Sequence, residues 1–325
     1  MIKVGVVGVG QFGQNHARIL QNSDFCDFVG FYDKNPGRVQ EIARKTQAHS
    51  FPSFAALIEQ CEALIIVVTT VSHFELAKAA LKKGIHVFIE KPIASNLKEA
   101  VELQELAEKN NLKLQVGHIE RFNPIVLEME DKIKDPLFIE CHRIGPFTAR
   151  GTDVPVVLEL MIHDIDLILA FIKSKVKHIS ASGAGVLTRS IDIANARIEF
   201  EDGAVANVTA SRISLKRSRK LRIFQKDGYF SMDFQAKKVR HIKRSKNLYK
   251  VLPKLLAGNY EGIETENVVD INEVDASDRS KDALTLELES FIQAIEANIN
   301  PVVDGKAGIR ALEVALEIVN KIQNK

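Results

Sequence analysis

The run IKVGVVGVG from Ile2 is followed without a break by QFGQNHARIL, and nothing else in the chain narrows its fold as much. The first part is apolar and β-branched at consecutive positions, which fits a strand buried on both faces of a sheet. It ends in Gly8-Val9-Gly10-Gln11-Phe12-Gly13, three glycines that close a strand and open a helix. In that context the first glycine permits a tight turn, the second lets backbone approach a pyrophosphate, and the third lets the helix lie close on the strand. The helix N-terminus adds unpaired N–H groups and a partial positive charge. Asp33 ends the next predicted strand, where a carboxylate can hold ribose hydroxyls. The stretch predicts a dinucleotide site made by Gly8, Gly10, Gln11, Phe12, Gly13 and Asp33.

The strand and helix patterns continue to alternate as far as residue 117: DFVGFYD, GRVQEIARKT, LIIVVTT, FELAKAALKKG, HVFIEKP, LKEAVELQELAEKNN and LKLQVGH. This alternation is that of a doubly wound parallel sheet with helices on both faces. After Pro124 the pattern changes. PLFIECHRIG, HISASGAGV, SIDIANARIEF, AVANVTASRI, KLRIFQKD and GYFSMDFQ alternate in polarity, with Asp-Gly pairs at Asp202-Gly203 and Asp227-Gly228 that supply the positive φ of tight hairpins. The expected architecture is an α/β Rossmann domain over residues 1–120, then a second α/β domain over 121–325 with an open, mostly antiparallel sheet. Two C-terminal amphipathic helices, with stripes at Leu284, Leu288, Phe291, Ile292, Ile295 and at Ile309, Leu312, Leu316, Val319, are expected to pack back.

Composition removes several function classes. At 325 residues, 46% hydrophobic and 26% charged, the chain reads as a soluble globular protein of two domains. A net charge of +2 does not call for a polyanionic partner. The basic stretches Lys216–Lys220 and Lys237–Lys254 interleave with strand residues, and the acidic stretch Glu264–Asp278 balances them, so a solvated sheet face is expected rather than nucleic acid. Those basic residues can also serve a substrate diphosphate or a subunit interface. Cys26, Cys61 and Cys141 are odd in number and widely spaced, which implies reduced thiols and no zinc framework. No signal peptide or run long enough to span a bilayer is visible, so a cytoplasmic protein without membrane association is expected.

The stretch VLELMIHDIDLIL at Val157–Leu169 is apolar enough for a core helix, yet carries Glu159, His163, Asp164 and Asp166. At helical spacing Glu159, His163 and Asp166 share one face. They form either an ion-paired helix edge or an acid/base constellation, with the leucines and isoleucines turned toward the antiparallel sheet.

Four segments together resemble the glucose-fructose oxidoreductase/inositol dehydrogenase (Gfo/Idh/MocA) family over essentially the whole chain. They are GVGQFGQNHARIL, EKPIA at Glu90–Ala94, VGHIERFNP at Val116–Pro124, and ExxxHxxD at Glu159–Asp166. Within the family, VGHIERFNP, IGPF and LMIHDIDL look most like the enzymes that oxidise the C3 hydroxyl of UDP-N-acetylglucosamine. The resemblance implies NAD(P)-dependent oxidation, or the reverse reduction, of a secondary hydroxyl on a sugar or cyclitol, with a free sugar or an inositol as the alternative to the nucleotide sugar. It also implies a homodimer or homotetramer, and no metal site is expected. A non-catalytic NAD-binding sugar sensor is the rival, and the presence of both Lys91 and His163 favours the enzyme.

The residue roles follow from the chemistry and from the resemblance. A secondary alcohol that gives up hydride must also lose its hydroxyl proton, and an imidazole with an ordinary pKa of about 6.5 is matched to accept it. His163 is therefore the expected general base. Lys91, which the resemblance sets at the end of a fifth parallel strand, is expected to polarise the substrate oxygen, with Glu90 beside it at the cofactor. Glu159 stands where the family usually has Asp, one methylene longer, and is expected to contact substrate or orient His163. Asp166 is as consistent with a structural role as a catalytic one, and Asp164 is expected to pair with a neighbouring base. Arg121 and Asn123 can donate to substrate, or Arg121 can brace a loop. Thr69, Thr70 and His73, placed after a fourth strand, are expected at the ribose and nicotinamide, although His73 can equally cap a helix.

Asp33 also selects between cofactors. A 2′-phosphate would bring nearly two negative charges toward it, each costing roughly 4 kcal/mol at about 4 Å and an effective dielectric near 20, before discount for solvent. Lys34 and Arg38 can offset part of this. NAD rather than NADP is expected.

Overall fold

The computed structural model describes residues 1–148, 151, 154–277 and 281–324. The chain divides into two compact units, Met1–Phe122 with Lys281–Glu313, and Asn123–Ser280 with Val314–Lys325.

In the first unit the strands are β1 (Lys3–Val7), β2 (Asp27–Tyr32), β3 (Ala63–Ile66), β4 (His86–Glu90) and β5 (Leu114–Gly117). They lie in the order β2-β1-β3-β4-β5, and every pair is parallel. The helices between them are α1 (Gly13–Gln21), α2 (Pro36–Thr46), α3 (Phe54–Ile58), α4 (His73–Lys82) and α5 (Leu97–Lys109). Their starts follow local chemistry: Asn35, Ser53 and Asn96 each accept the N–H three residues on, and Pro36 occupies a first-turn position where no N–H is needed.

The strand count corrects one expectation. Glu90-Lys91-Pro92 follows the fourth parallel strand and Thr69 to His73 the third; the segment between α2 and α3 makes only a single bridge, Phe31 to Ser50, and adds no strand. Flanking hydrogen bonds from Phe31 N to His49 O and from Phe51 N to Phe31 O hold it there, and Pro52 ends it.

The second unit contains β6 (Phe138–Ile144), β7 (Val176–Ala184), β8 (Ile193–Phe200), β9 (Val205–Ser211), β10 (Ser218–Gln225), β11 (Gly228–Asp233), β12 (Lys238–Arg244) and β13 (Val269–Asp275). The order is β13-β12-β11-β10-β6-β9-β8-β7, antiparallel throughout except for β6 beside β9. Short α6 (Pro124–Leu127) precedes the sheet, and α7 (Ile162–Phe171) packs on β6 and β9 with Ile165, Leu167, Ile168 and Leu169 buried. The helices α8 (Leu248–Leu256) and α9 (Thr265–Val268) lie between the last two strands.

The two Asp-Gly hairpins differ. Gly203 has φ +89, as expected. Gly228 has no positive φ: it is already in β11, paired with Gln225, and the turn is Lys226-Asp227. A glycine is needed there for space, since a Cβ would come within 2.2 Å of Ile242 O.

Two strands were not among the expected runs. β12 and β13 lie within the stretches read as a basic region and an acidic segment, and they pair with each other. Lys238 Nζ lies 3.4 Å from both Glu273 and Asp275, and Arg240 Nε donates to Glu273 at 2.5 Å. The last residue of that acidic segment, Asp278, lies outside the described residues.

Two helices close the chain, α10 (Ala283–Glu296) and α11 (Gly305–Gln323). Leu288, Phe291 and Ile292 of α10 enter the same core cluster as Val4, Val6, Phe31 and Phe88 of the first unit. Phe291 meets Phe88 edge-on, with ring centroids 5.9 Å apart. Burial of each such side chain contributes about 1.5–3 kcal/mol, so α10 is part of this core and not an appendage to it.

Candidate active site

The glycine-rich turn is built from contacts that only glycine permits. Gly8 has φ +88, and a Cβ on Gly13 would fall 1.8 Å from Gly8 O, so α1 can leave β1 only at this closeness. Gly10 has nothing within 4 Å of where its Cβ would stand. That open space beside bare backbone at a helix start is what a pyrophosphate needs, and the residues present fit a dinucleotide. Gln11 and Phe12 are exposed beside it, Phe12 being the residue before α1. Asp33 is half-buried: Val9 N donates to its Oδ2 at 2.9 Å and Asn35 N to its Oδ1 at 2.8 Å. These bonds orient the carboxylate, and each oxygen keeps a second lone pair for a hydroxyl.

At the end of β3, Thr69 is exposed and Thr70 opens a 3₁₀ turn through Ser72. His73 starts α4 with its ring buried, Nδ1 lying 2.9 Å from Pro92 O and Nε2 3.1 Å from Val68 O. Its imidazole thus links the chain after β3 to the chain after β4, and burial lowers its pKa although both carbonyls oppose the shift.

Lys91 follows β4, and the Lys91–Pro92 peptide is cis. Glu90 Oε2 accepts from Lys91 N at 3.3 Å, while its Oε1 lies 3.2 Å from His16 Nε2. Burial alone would raise the pKa of Glu90; the His16 contact and the Lys91 charge outweigh it and hold the carboxyl below its ordinary range. Arg121 Nη2 reaches Val302 O at 3.5 Å, and Asn123 Oδ1 accepts from Ile125 N at 3.3 Å at the start of α6. The bracing alternative for Arg121 has a partner here, and Asn123 serves as a helix cap.

In the second unit the stretch read from sequence as one regular helix has two parts. Val157–Met161 forms a π-helical turn, which then becomes α7. Glu159 lies in the π turn while His163 and Asp166 lie in the α-helix, so the i, i+4 relation assumed between Glu159 and His163 does not describe the backbone. Such turns are rare and occur frequently at functional sites.

Glu159 is held by a buried arginine that sequence reading passed over. Arg212 Nη1 donates to Glu159 Oε2 at 3.0 Å, and Arg212 Nε donates to Asp192 Oδ1 at 2.9 Å. The same guanidinium donates to the carbonyls of Gly151, Val154 and Ile191. Gly151, at φ +64, lies so close that a Cβ would stand 2.6 Å from Glu159 Oε1. Asp192 is 0% exposed. Burial opposes its charge, but the Thr188 hydroxyl and the N–H groups of Val186, Leu187 and Thr188 hold its carboxyl far below the ordinary range.

Asp164 makes the pairing expected of it. Arg143 donates to it twice, Nε to Oδ2 at 2.9 Å and Nη2 to Oδ1 at 2.8 Å, with both residues buried. Asp166 is also buried, whereas His163 is half-exposed between buried Ile162 and Asp164. Of the ionisable residues in this helix, His163 is the accessible one. Among the described residues no group of three or more His, Cys, Asp or Glu is placed to hold a metal ion, and no helix is long and apolar enough to cross a membrane.

Residues 2–118 match the oxidoreductase family with the NAD-binding Rossmann fold, GFO_IDH_MocA, and residues 143–231 match the GFO/IDH/MocA C-terminal domain. The UDP-N-acetylglucosamine 3-dehydrogenase of Acidithiobacillus ferrooxidans is 33% identical over 98% of this chain and 96% of its own. Its solved structure superposes with a TM-score of 0.88, covering 99% of this chain and 98% of that one. A myo-inositol 2-dehydrogenase of Thermotoga maritima is 22% identical over 100% of this chain and 97% of its own.

Proposed function

The chain belongs to the Gfo/Idh/MocA family of oxidoreductases, and from that premise we propose that it oxidises the C3 hydroxyl of UDP-N-acetylglucosamine, or reduces the corresponding ketone, with NAD as its cofactor. The observation that carries the substrate is the identity to the Acidithiobacillus enzyme over nearly the full length of both chains. Lys91 and His163 supply the two groups that such a reaction asks of the protein.

The nicotinamide dinucleotide, when bound, supplies the two-electron acceptor. The backbone around Gly8, Gly10 and Gly13, with Gln11 and Phe12, holds its pyrophosphate, and Asp33 holds the ribose hydroxyls. Thr69, Thr70, His73 and Glu90 complete the cofactor side, His73 and Glu90 by fixing the chain around them. His163 accepts the hydroxyl proton as the carbon loses hydride, and the Lys91 ammonium stabilises the negative charge that grows on the oxygen. Glu159, oriented by Arg212, is the acceptor for a neighbouring substrate hydroxyl, and Arg121 and Asn123 flank the substrate through the loop they brace and cap. NAD is favoured over NADP because Asp33 is held in place by two backbone N–H groups and the nearby Arg38 is turned to Glu41 at 3.5 Å.

The test is NADH formation at 340 nm with UDP-N-acetylglucosamine, other UDP-sugars, free sugars and inositols. Fastest turnover with UDP-N-acetylglucosamine and NAD is expected. Preference for an inositol or a free sugar would overturn the substrate, and faster turnover with NADP would overturn the cofactor choice. The open face of the antiparallel sheet is proposed to pair subunits, which sedimentation analysis would show as a dimer or tetramer.

A further inference from the structure

His16 has no part in the roles above, yet its buried ring connects two of the motifs that do. It is 2% exposed, and Nδ1 lies 3.3 Å from the carbonyl of Phe12, in the glycine-rich turn. Nε2 lies 3.2 Å from Glu90 Oε1. The ring also meets Phe88 of β4 edge-on at 6.0 Å, so it cannot rotate without losing both polar contacts. Glu90 is confined in turn: its Oε2 receives Lys91 N, and a Cβ on Gly117 would fall 3.0 Å from that same oxygen. One imidazole therefore runs from the backbone of the cofactor turn to the carboxylate that fixes the backbone of Lys91.

We propose that His16 is a positioning residue which, through Glu90, sets Lys91 relative to the glycine-rich turn, so that cofactor binding and the placement of Lys91 are coupled. The proposal rests on the reading of Lys91 as the polarising group. Its physical basis is orientation: misplacement of a reacting group by about 1 Å, even from a distant change, can cost on the order of 100-fold in rate. A ring that only filled space beside Phe88 would be replaceable by leucine without effect on Glu90.

The test is a double-mutant cycle of His16→Leu and Glu90→Gln, read in two ways. The dissociation constant for NADH is taken from its fluorescence, which needs no sugar, and kcat from whichever sugar the wild type turns over. Each single change is expected to weaken NADH binding several-fold and to lower kcat by roughly 10- to 100-fold. The double variant is expected to be no worse than the worse single one, and His16→Gln, whose amide N–H can donate to Glu90, is expected to recover most of the loss. If His16→Leu does not fold, His16→Asn, too short to reach Glu90, takes its place in the cycle. Additive losses, or NADH binding indifferent to both changes, would overturn the proposal. A wild type inactive on UDP-N-acetylglucosamine would overturn the substrate reading alone, because the NADH arm still decides the coupling.

Discussion

His163 is half-exposed in a helix whose next six residues, Asp164 to Leu169, are all buried. That exposure fits proton transfer. His163→Ala is expected to lower kcat by roughly 10²- to 10⁴-fold, the range for a lost general base, with NADH binding nearly intact. Unchanged turnover would sink the assignment. Asp192 shows the opposite situation, a carboxylate with no exposure whose charge is essential to its surroundings. Replacing it with asparagine leaves Arg212 partly unpaired in the interior, at a cost of about 3–5 kcal/mol near neutral pH. Because the folded pKa of Asp192 is depressed, its stabilisation is fully present above the unfolded value of about 3.9 and is lost as pH falls through the folded value. The difference in Tm between wild type and Asp192→Asn should therefore be large at pH 7 and narrow below about pH 4. A gap that stays constant into acid would contradict this account.

At the scale of elements, what could be read in advance depended on how local its cause was. The strand, turn and helix around Gly8 to Gly13 were legible because the three glycines stand at fixed spacing between a strand and a helix, and Gly13 answers to Gly8 O five residues away, although the approach of Gly8 to Val67 was not. His16 was not, since its partner Glu90 lies on a different strand and a single histidine on an amphipathic helix has no local signature. Arg212 was missed for the same reason: its carboxylates are 20 and 53 residues away in sequence. The π turn was hidden because helical spacing is normally read with one fixed period. β12 and β13 were legible as charges but not as a pair, because strand pairing across an intervening helical segment leaves no periodic trace. Their cross-strand ion pairs make β13, at the edge of the sheet, sensitive to ionic strength. Hydrogen exchange at amides 269–275 should quicken between about 0.05 and 1 M salt, where the screening length falls to roughly 3 Å, while β6 and β9 stay protected. Uniform protection at both salt concentrations would show that the ion pairs do not hold the edge.

At the scale of the whole molecule, the first unit is discontinuous in sequence, and its core is closed by Leu288, Phe291 and Ile292. A fragment ending at residue 280 keeps all five parallel strands but leaves the surface of Phe88 and its neighbours without their cover. Such a fragment is expected to bind hydrophobic dyes and precipitate, and addition of a peptide spanning 281–313 should restore solubility. A soluble, cooperatively unfolding fragment would show that α10 is dispensable to this core.

The same discontinuity sets an order of events during synthesis. The glycine-rich turn leaves the ribosome well before α10, which emerges some 160 residues after Phe122, roughly ten to thirty seconds later at about 5–20 residues per second. For that interval the nascent Rossmann sheet carries an uncovered apolar face, and chaperones that recognise such faces have their longest opportunity at the stage when the nucleotide-binding turn is already complete in sequence.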